Sequence, residues 1–245
     1  MVVEGQNLTA EDQLFILIQA AQYLTTTQGL GVAEARICYD RAESLAHSLN
    51  HPRLLCVALI GLWRNSVMTD KLSMAVKIAE RVHSLAQEQD EPTLMIDAYN
   101  TLAATLYFLG DFDSAGQYAR QGVQIWRSGG VRSHPEDFDT PVVGCLCYEA
   151  MSEWHLGEMA SCRTAMADAI SIAKELKDMN ALALALTWAA ALAYCERNPA
   201  EVDRLASDLI ELSTRQHFAY WLALGAIYHG LVRLGSHLKI QENVL

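Results

Sequence analysis

Apolar residues along this chain recur every three to four positions, and no stretch alternates with the period of two that a strand requires. The clearest block runs from Asp97 to Leu109, where Tyr99, Leu102, Ala103 and Leu106 fall on one helical face. Gly110-Asp111-Phe112-Asp113 follows. Gly110 can take the positive φ that ends a helix, and Asp111 or Asp113 can cap a second helix starting at Ser114. Ala115 then falls where the two helices cross, a point at which only a small side chain lets them approach.

The same arrangement returns along the chain. Leu30 precedes Ala35 by five residues, Asp70 precedes Ala75, Gly110 precedes Ala115 and Gly157 precedes Cys162. The anchors 35, 75, 115 and 162 are separated by about 40, 40 and 47 positions. Asp203, after Asn198-Pro199, is a weaker fifth copy, and Gly235 closes a sixth first helix running from Phe218 to Leu234. The one long spacing contains residues 128–139, a Gly/Pro/charge-rich stretch that reads as a loop insertion. Pro52, Pro92, Pro141 and Pro199 sit where first turns of helices are expected, positions at which the missing N–H costs nothing. Thr9 with Asp12 reads as the capping box of the first helix. A Gly-Asp turn followed by a small residue five positions on is the tetratricopeptide pattern. The expectation is an all-α, right-handed superhelical solenoid of about six tetratricopeptide-like helix pairs with a repeat near forty, forming one domain over residues 1–245.

Composition narrows the function. Disorder is excluded by a chain that is 51% hydrophobic. No apolar run reaches the roughly 18 residues that span a bilayer, so no membrane partner is expected. The formal charge of −11, without a Lys/Arg block, argues against nucleic acid. Cys38, Cys56, Cys145, Cys147, Cys162 and Cys195 all lie in apolar helical segments and read as small buried hydrophobes of a reducing cytoplasm. No His-x-x-x-His pair, nucleophile elbow or assigned base occurs, so neither a metal, a cofactor nor a catalytic residue is expected.

Arg41-Ala42-Glu43-Ser44-Leu45, Gly61-Leu62-Trp63, Leu106 to Asp111, Trp154-His155-Leu156-Gly157 and Phe218 to Ala223 followed by Gly230 carry a further likeness. They resemble the tetratricopeptide region downstream of the ATPase module in large bacterial signalling proteins, many of which also carry a class III nucleotide cyclase or a winged-helix domain. The chain has no phosphate-binding Gly-x-x-x-x-Gly-Lys loop and no cyclase aspartate pair, so the resemblance implies an interaction module without that catalysis.

In such a solenoid the concave face is built from first-helix positions pointing away from the partner helix. Counting from the anchors selects Arg64, Asp97, Asn100, Tyr107, Trp154, Trp188 and His229 as the surface for a protein or peptide partner. Packing between repeats is the competing explanation for Trp154 and Trp188. Two other functions remain open: a small-molecule sensor, similar to the superhelical effector domain of the maltose-regulon activator, and self-association through an uncapped C-terminal end, since only Ser236 to Leu245 remain for a sixth partner helix.

Overall fold

The computed structural model describes residues 8–129, 138 and 140–242, the last eight of these by their backbone alone. Among the described residues all regular structure is α-helical. Five helix pairs are α1 (Ala10–Gln28) with α2 (Ala33–Ser48), α3 (Pro52–Met68) with α4 (Leu72–Gln89), α5 (Pro92–Leu109) with α6 (Phe112–Ser128), α7 (Pro141–Leu156) with α8 (Met159–Glu175), and α9 (Met179–Cys195) with α10 (Pro199–Gln216); α11 (Ala219–Glu242) follows. Pro52, Pro92, Pro141 and Pro199 each open a helix. The Thr9–Asp12 capping box is formed at the start of α1. Asp111, rather than Asp113, caps α6 by accepting the Ser114 N–H at 3.1 Å. That helix starts two residues earlier than the sequence suggests.

Helix ends keep strict time. A left-handed residue follows α2 to α5 at Asn50, Asp70, Asp90 and Gly110, and follows α7 to α10 at Gly157, Lys177, Arg197 and His217, so within each group the spacing is twenty residues. At seven of these eight, Asp90 excepted, the next N–H reaches back to the carbonyl five residues earlier, as in Lys71 to Ser66 at 2.9 Å and Asp178 to Ala173 at 3.1 Å. This closes the orphan carbonyls of the last turn. Between these two groups the Gly110-to-Gly157 interval, which contains the α6–α7 connection, departs from the rhythm.

Two expectations are corrected. The fifth anchor is Val202, 1% exposed and the fourth residue of α10, as Ala75, Ala115 and Cys162 are of α4, α6 and α8. Asp203, one position on, instead faces His229 at 3.2 Å. Gly235 does not end a helix, because α11 continues through it to Glu242. A helical glycine costs about 1 kcal/mol but breaks nothing by itself, and no cap or proline follows it here. Four cysteines are buried as expected, whereas Cys38 and Cys195 are half-buried.

The anchors Ala35, Ala75, Ala115 and Cys162 are at most 1% exposed, as are Ala42, Ala79, Ala119 and Ala169 farther along the same helices. These small residues let helices approach closely, and Leu14, Ile18, Leu59, Leu94, Leu146 and Leu209 fill what remains. Each odd-numbered helix touches the next odd one, and α11 returns to touch α1, so α1, α3, α5, α7, α9 and α11 line a continuous inner ring. The even-numbered helices form the outer layer, each packing on the odd helices on either side of it in the chain. Across this layer, long arginines bridge neighbouring repeats: Arg81 of α4 to Glu43 of α2, and Arg127 of α6 to Asp168 of α8 at 3.0 Å.

The left-handed residues yield a stability prediction. A Cβ in this region costs roughly 1–2 kcal/mol, offset in part by the ~0.4–1 kcal/mol of extra freedom glycine gives the unfolded chain. Lys177→Gly should therefore stabilise by about 1 kcal/mol and raise Tm by about 2–4 °C, measured by calorimetry. A lowered Tm would show that the Lys177 side chain holds more than its backbone strain costs.

Candidate functional site

The inner ring encloses a predominantly apolar cavity of about 120 Å3. Its wall is drawn from the odd helices and from Leu30 in the α1–α2 turn. Trp63, Arg64, Val67 and Met68 come from α3, Asn100 and Phe108 from α5, Tyr148 from α7, Leu184, Thr187 and Trp188 from α9, and Tyr220, Trp221 and Leu224 from α11. Phe138, beyond α6, completes it. A smaller cavity of about 10 Å3, room for a single water, adjoins and is lined by Gln22, Tyr39, Val57, Ile60, Arg64, Asp97 and Phe138.

The wall is rigid because its large side chains are fastened one repeat away. The Trp63 indole N–H donates to Thr105 Oγ1 at 2.8 Å, and Thr105 donates in turn to the Thr101 carbonyl. The Trp221 indole donates to Asn180 Oδ1 at 2.8 Å, and the Tyr220 hydroxyl reaches Met68 Sδ at 3.5 Å, where the first and last parts of the ring meet. Trp188 stands edge-on to Tyr148 and Tyr107, with centroids 5.4 and 5.6 Å away. Asp178 both caps α9 through the Ala181 N–H and accepts the N–H and hydroxyl of Thr140, fixing the start of α7.

Among the polar residues of this lining, Arg64, Asn100 and Thr187, Asn100 stands out. It is 9% exposed, and its Oδ1 has no hydrogen-bond partner among the described residues. The amide lies so close to α7 that a Cβ on Gly144 would stand 2.4 Å from Oδ1. A buried acceptor left in this state costs about 1–3 kcal/mol.

Of the seven residues selected from the sequence, the structure brings Arg64, Asn100 and Trp188 into the larger cavity and Asp97, with Arg64, into the smaller. Tyr107 stands behind Trp188 and Tyr148, with its hydroxyl 3.4 Å from His155 Nε2. Burial pushes that phenol up to about 12. Trp154 packs on the core with its edge toward His155, and His229 lies in the α10–α11 seam facing Asp203. Neither lines either of these two cavities. The reason is superhelical drift: the wall uses the end of α3, the middle of α7 and α9, and the first turns of α11. A fixed offset from each anchor therefore leaves the cavity as the repeats proceed. Trp63, Tyr148 and Trp221 escaped that rule for the same reason, although all are aromatic residues of first helices.

The titratable groups nearby are not tuned for nucleophilic chemistry. Burial raises the Cys195 thiol, with the Glu196 charge adding to it, and burial lowers the His155 imidazole. A reactive thiolate needs the opposite shift. Among the described residues no group of His, Cys, Asp and Glu has the geometry of a metal site, and no helix is long and apolar enough to cross a membrane.

Comparison with known proteins places the architecture. The chain is similar to the apo form of RapI, with 12% identity, a TM-score of 0.58, and coverage of 98% of this chain and 87% of that one. It is similar to a Rap protein complexed with competence and sporulation factor at 13% identity and a TM-score of 0.57, covering 94% of this chain and 66% of that one. The tetratricopeptide-like repeats of a Podospora anserina kinesin light chain match at 13% identity and a TM-score of 0.52, covering 86% and 99%. The family model of anaphase-promoting complex subunit 5 matches residues 141–196, which span α7 to α9. No curated protein matches the sequence. The class is thus an all-α solenoid of tetratricopeptide-like helical repeats.

One ionisable group of the inner helix α7 carries a pH signature. Burial raises Glu149 of α7 from its ordinary 4.5 to about 7, Glu153 one turn on adds to this, and Arg120 and Arg127 only partly oppose it. Between those two values the folded protein holds a proton that the unfolded chain releases, so stability falls as pH rises from about 4.5 to about 7. Glu149→Gln should remove that slope and leave a variant more stable than the parent at pH 8. Urea midpoints measured across this range check it; parallel profiles for the two proteins would refute the assignment.

Proposed function

We propose that this chain is a non-enzymatic interaction module that holds a segment of another protein at the inner face of its ring, an apolar side chain entering the cavity between Trp63, Trp188 and Trp221. The observation that carries the reading is the aromatic, prefastened wall around one orphaned acceptor, Asn100 Oδ1. Apolar surface supplies the affinity, and a donor that reaches Asn100 supplies orientation. A structurally similar Rap protein complexed with competence and sporulation factor is a precedent for a bound partner on this architecture. In this reading Arg64, Asp97, Asn100 and Trp188 contact the partner, Tyr107 supports Trp188, and Trp154 and His229 act through packing. A sensor or scaffold arm of a cytoplasmic bacterial signalling protein is the setting that the resemblance to signalling ATPases suggests.

The return of α11 to α1 favours a second reading, a compact small-molecule effector, because it narrows the inner space that an extended chain would cross. The two are separated by placing the photocrosslinker p-benzoylphenylalanine at Thr187, on the cavity wall, and at Glu175, at the end of the outer helix α8. Irradiation in producing cells should give a discrete protein adduct from position 187 that is absent from position 175 and lost in Asn100→Ala, whose Tm stays within about 2 °C of the parent. Identical adducts from both positions would sink the docking reading. No adduct, together with a small co-purifying mass in native mass spectrometry, would transfer the cavity to the effector reading.

A further inference from the structure

Phe138 belongs to the connection between α6 and α7, where the twenty-residue rhythm breaks, yet it is half-buried. Its ring lies under the Arg64 guanidinium, with the guanidinium carbon 4.4 Å from the ring centroid. Its carbonyl accepts from Asn180 Nδ2 at 3.3 Å, while Asn180 Oδ1 is occupied by the Trp221 indole. Phe138 and Arg64 are the two residues that line both cavities, so their stack partitions a longer recess. A cation over an aromatic face, beside an amide that binds a main-chain carbonyl, is a receptor for an aromatic residue in a peptide chain. The repeats to either side close without any such residue. Asn100 Oδ1, across the same cavity, still lacks a donor while Phe138 is in place.

We infer that the Arg64–Asn180 recess is an aromatic side-chain subsite, filled in the isolated chain by its own Phe138, and that the partner segment enters with an aromatic residue that takes the place of Phe138 against Arg64. This rests on the reading of the ring as a docking site and names the chemistry of the residue docked there. Self-occupancy weakens the apparent affinity by the fraction of molecules in which the subsite is free, so a subsite about nine-tenths filled binds about tenfold more weakly than an empty one.

The test uses the full chain, its Phe138→Ala variant, and N-acetyl-phenylalaninamide as probe, with N-acetyl-alaninamide as control. Binding is read from the indole N–H signals of the five tryptophans. Phe138→Ala should bind the phenylalanine amide about tenfold more tightly than the parent. The Trp63, Trp188 and Trp221 signals should move, Trp126 should stay still, and the alanine amide should have no effect. Phe138→Leu keeps apolar bulk and should show a smaller gain, which guards against a folding defect in the alanine variant. Equal affinity in parent and Phe138→Ala, or equal binding of the two amides, overturns the subsite while leaving the docking reading, whose readout is the Thr187 adduct, standing. A gain in Phe138→Ala without any Thr187 adduct supports the subsite and removes the docking reading instead.

Discussion

No helix pair in this chain can bury its apolar face alone, and every later feature follows from the need to find that cover in the next pair. Ala35, Ala75, Ala115 and Cys162 make it possible by letting helix axes approach where a larger residue would hold them apart. Left-handed residues twenty positions apart keep successive helices equal in length, so the small positions meet in register. Odd helices touch odd helices along the inside, while the outer layer is joined by arginine–carboxylate pairs reaching from one repeat to the next. Such exposed pairs contribute roughly 0–1 kcal/mol each, too little to set the curvature. Inner-face packing sets it.

That packing also explains the kind of site the protein has. The tryptophans that line the cavity cannot collapse into it, because Trp63 and Trp221 are each tied by an indole hydrogen bond to a residue about one repeat away, Thr105 and Asn180. Asp178 serves two elements in the same manner, capping α9 and holding Thr140. Polar groups thus appear where one repeat must be fixed to another. Asn100 alone is buried at the wall with an acceptor unused. Trp63 and Trp221 thus serve twice, tying repeats together through their indole N–H groups and walling the cavity with their rings.

Much of this was legible in the sequence, and the parts that were not share a cause. Pro52, Pro92, Pro141, Pro199 and the Thr9–Asp12 box mark helix starts through local chemistry, and local chemistry is what a sequence displays. Gly110 and Gly157 announced their turns, whereas Lys177, Arg197 and His217 adopt the same left-handed backbone because the helices on either side require it. Val202 was hidden by its neighbour Asp203 for want of an obvious small residue. The inner ring depends on angles summed over six helices, which no single repeat reveals. For the same reason Arg64, Asn100 and Trp188 fall on the cavity wall, while Trp154 and His229 fall off it on helices whose contribution slides with the superhelix. Phe138 sat in a stretch that read only as a connection, and its role as a wall residue comes from contacts with Arg64 and Asn180 far away in the chain.

The contact between Tyr220 and Met68 joins residues 152 positions apart and turns a spring into a clasped bracelet. An open spring can lengthen at any one gap with little consequence elsewhere. A clasped one shares strain around its circumference, so widening the interior and loosening the clasp become one coordinate. Two ligands that each favoured one width of such a ring would influence each other's affinity equally, without any dedicated wire between them.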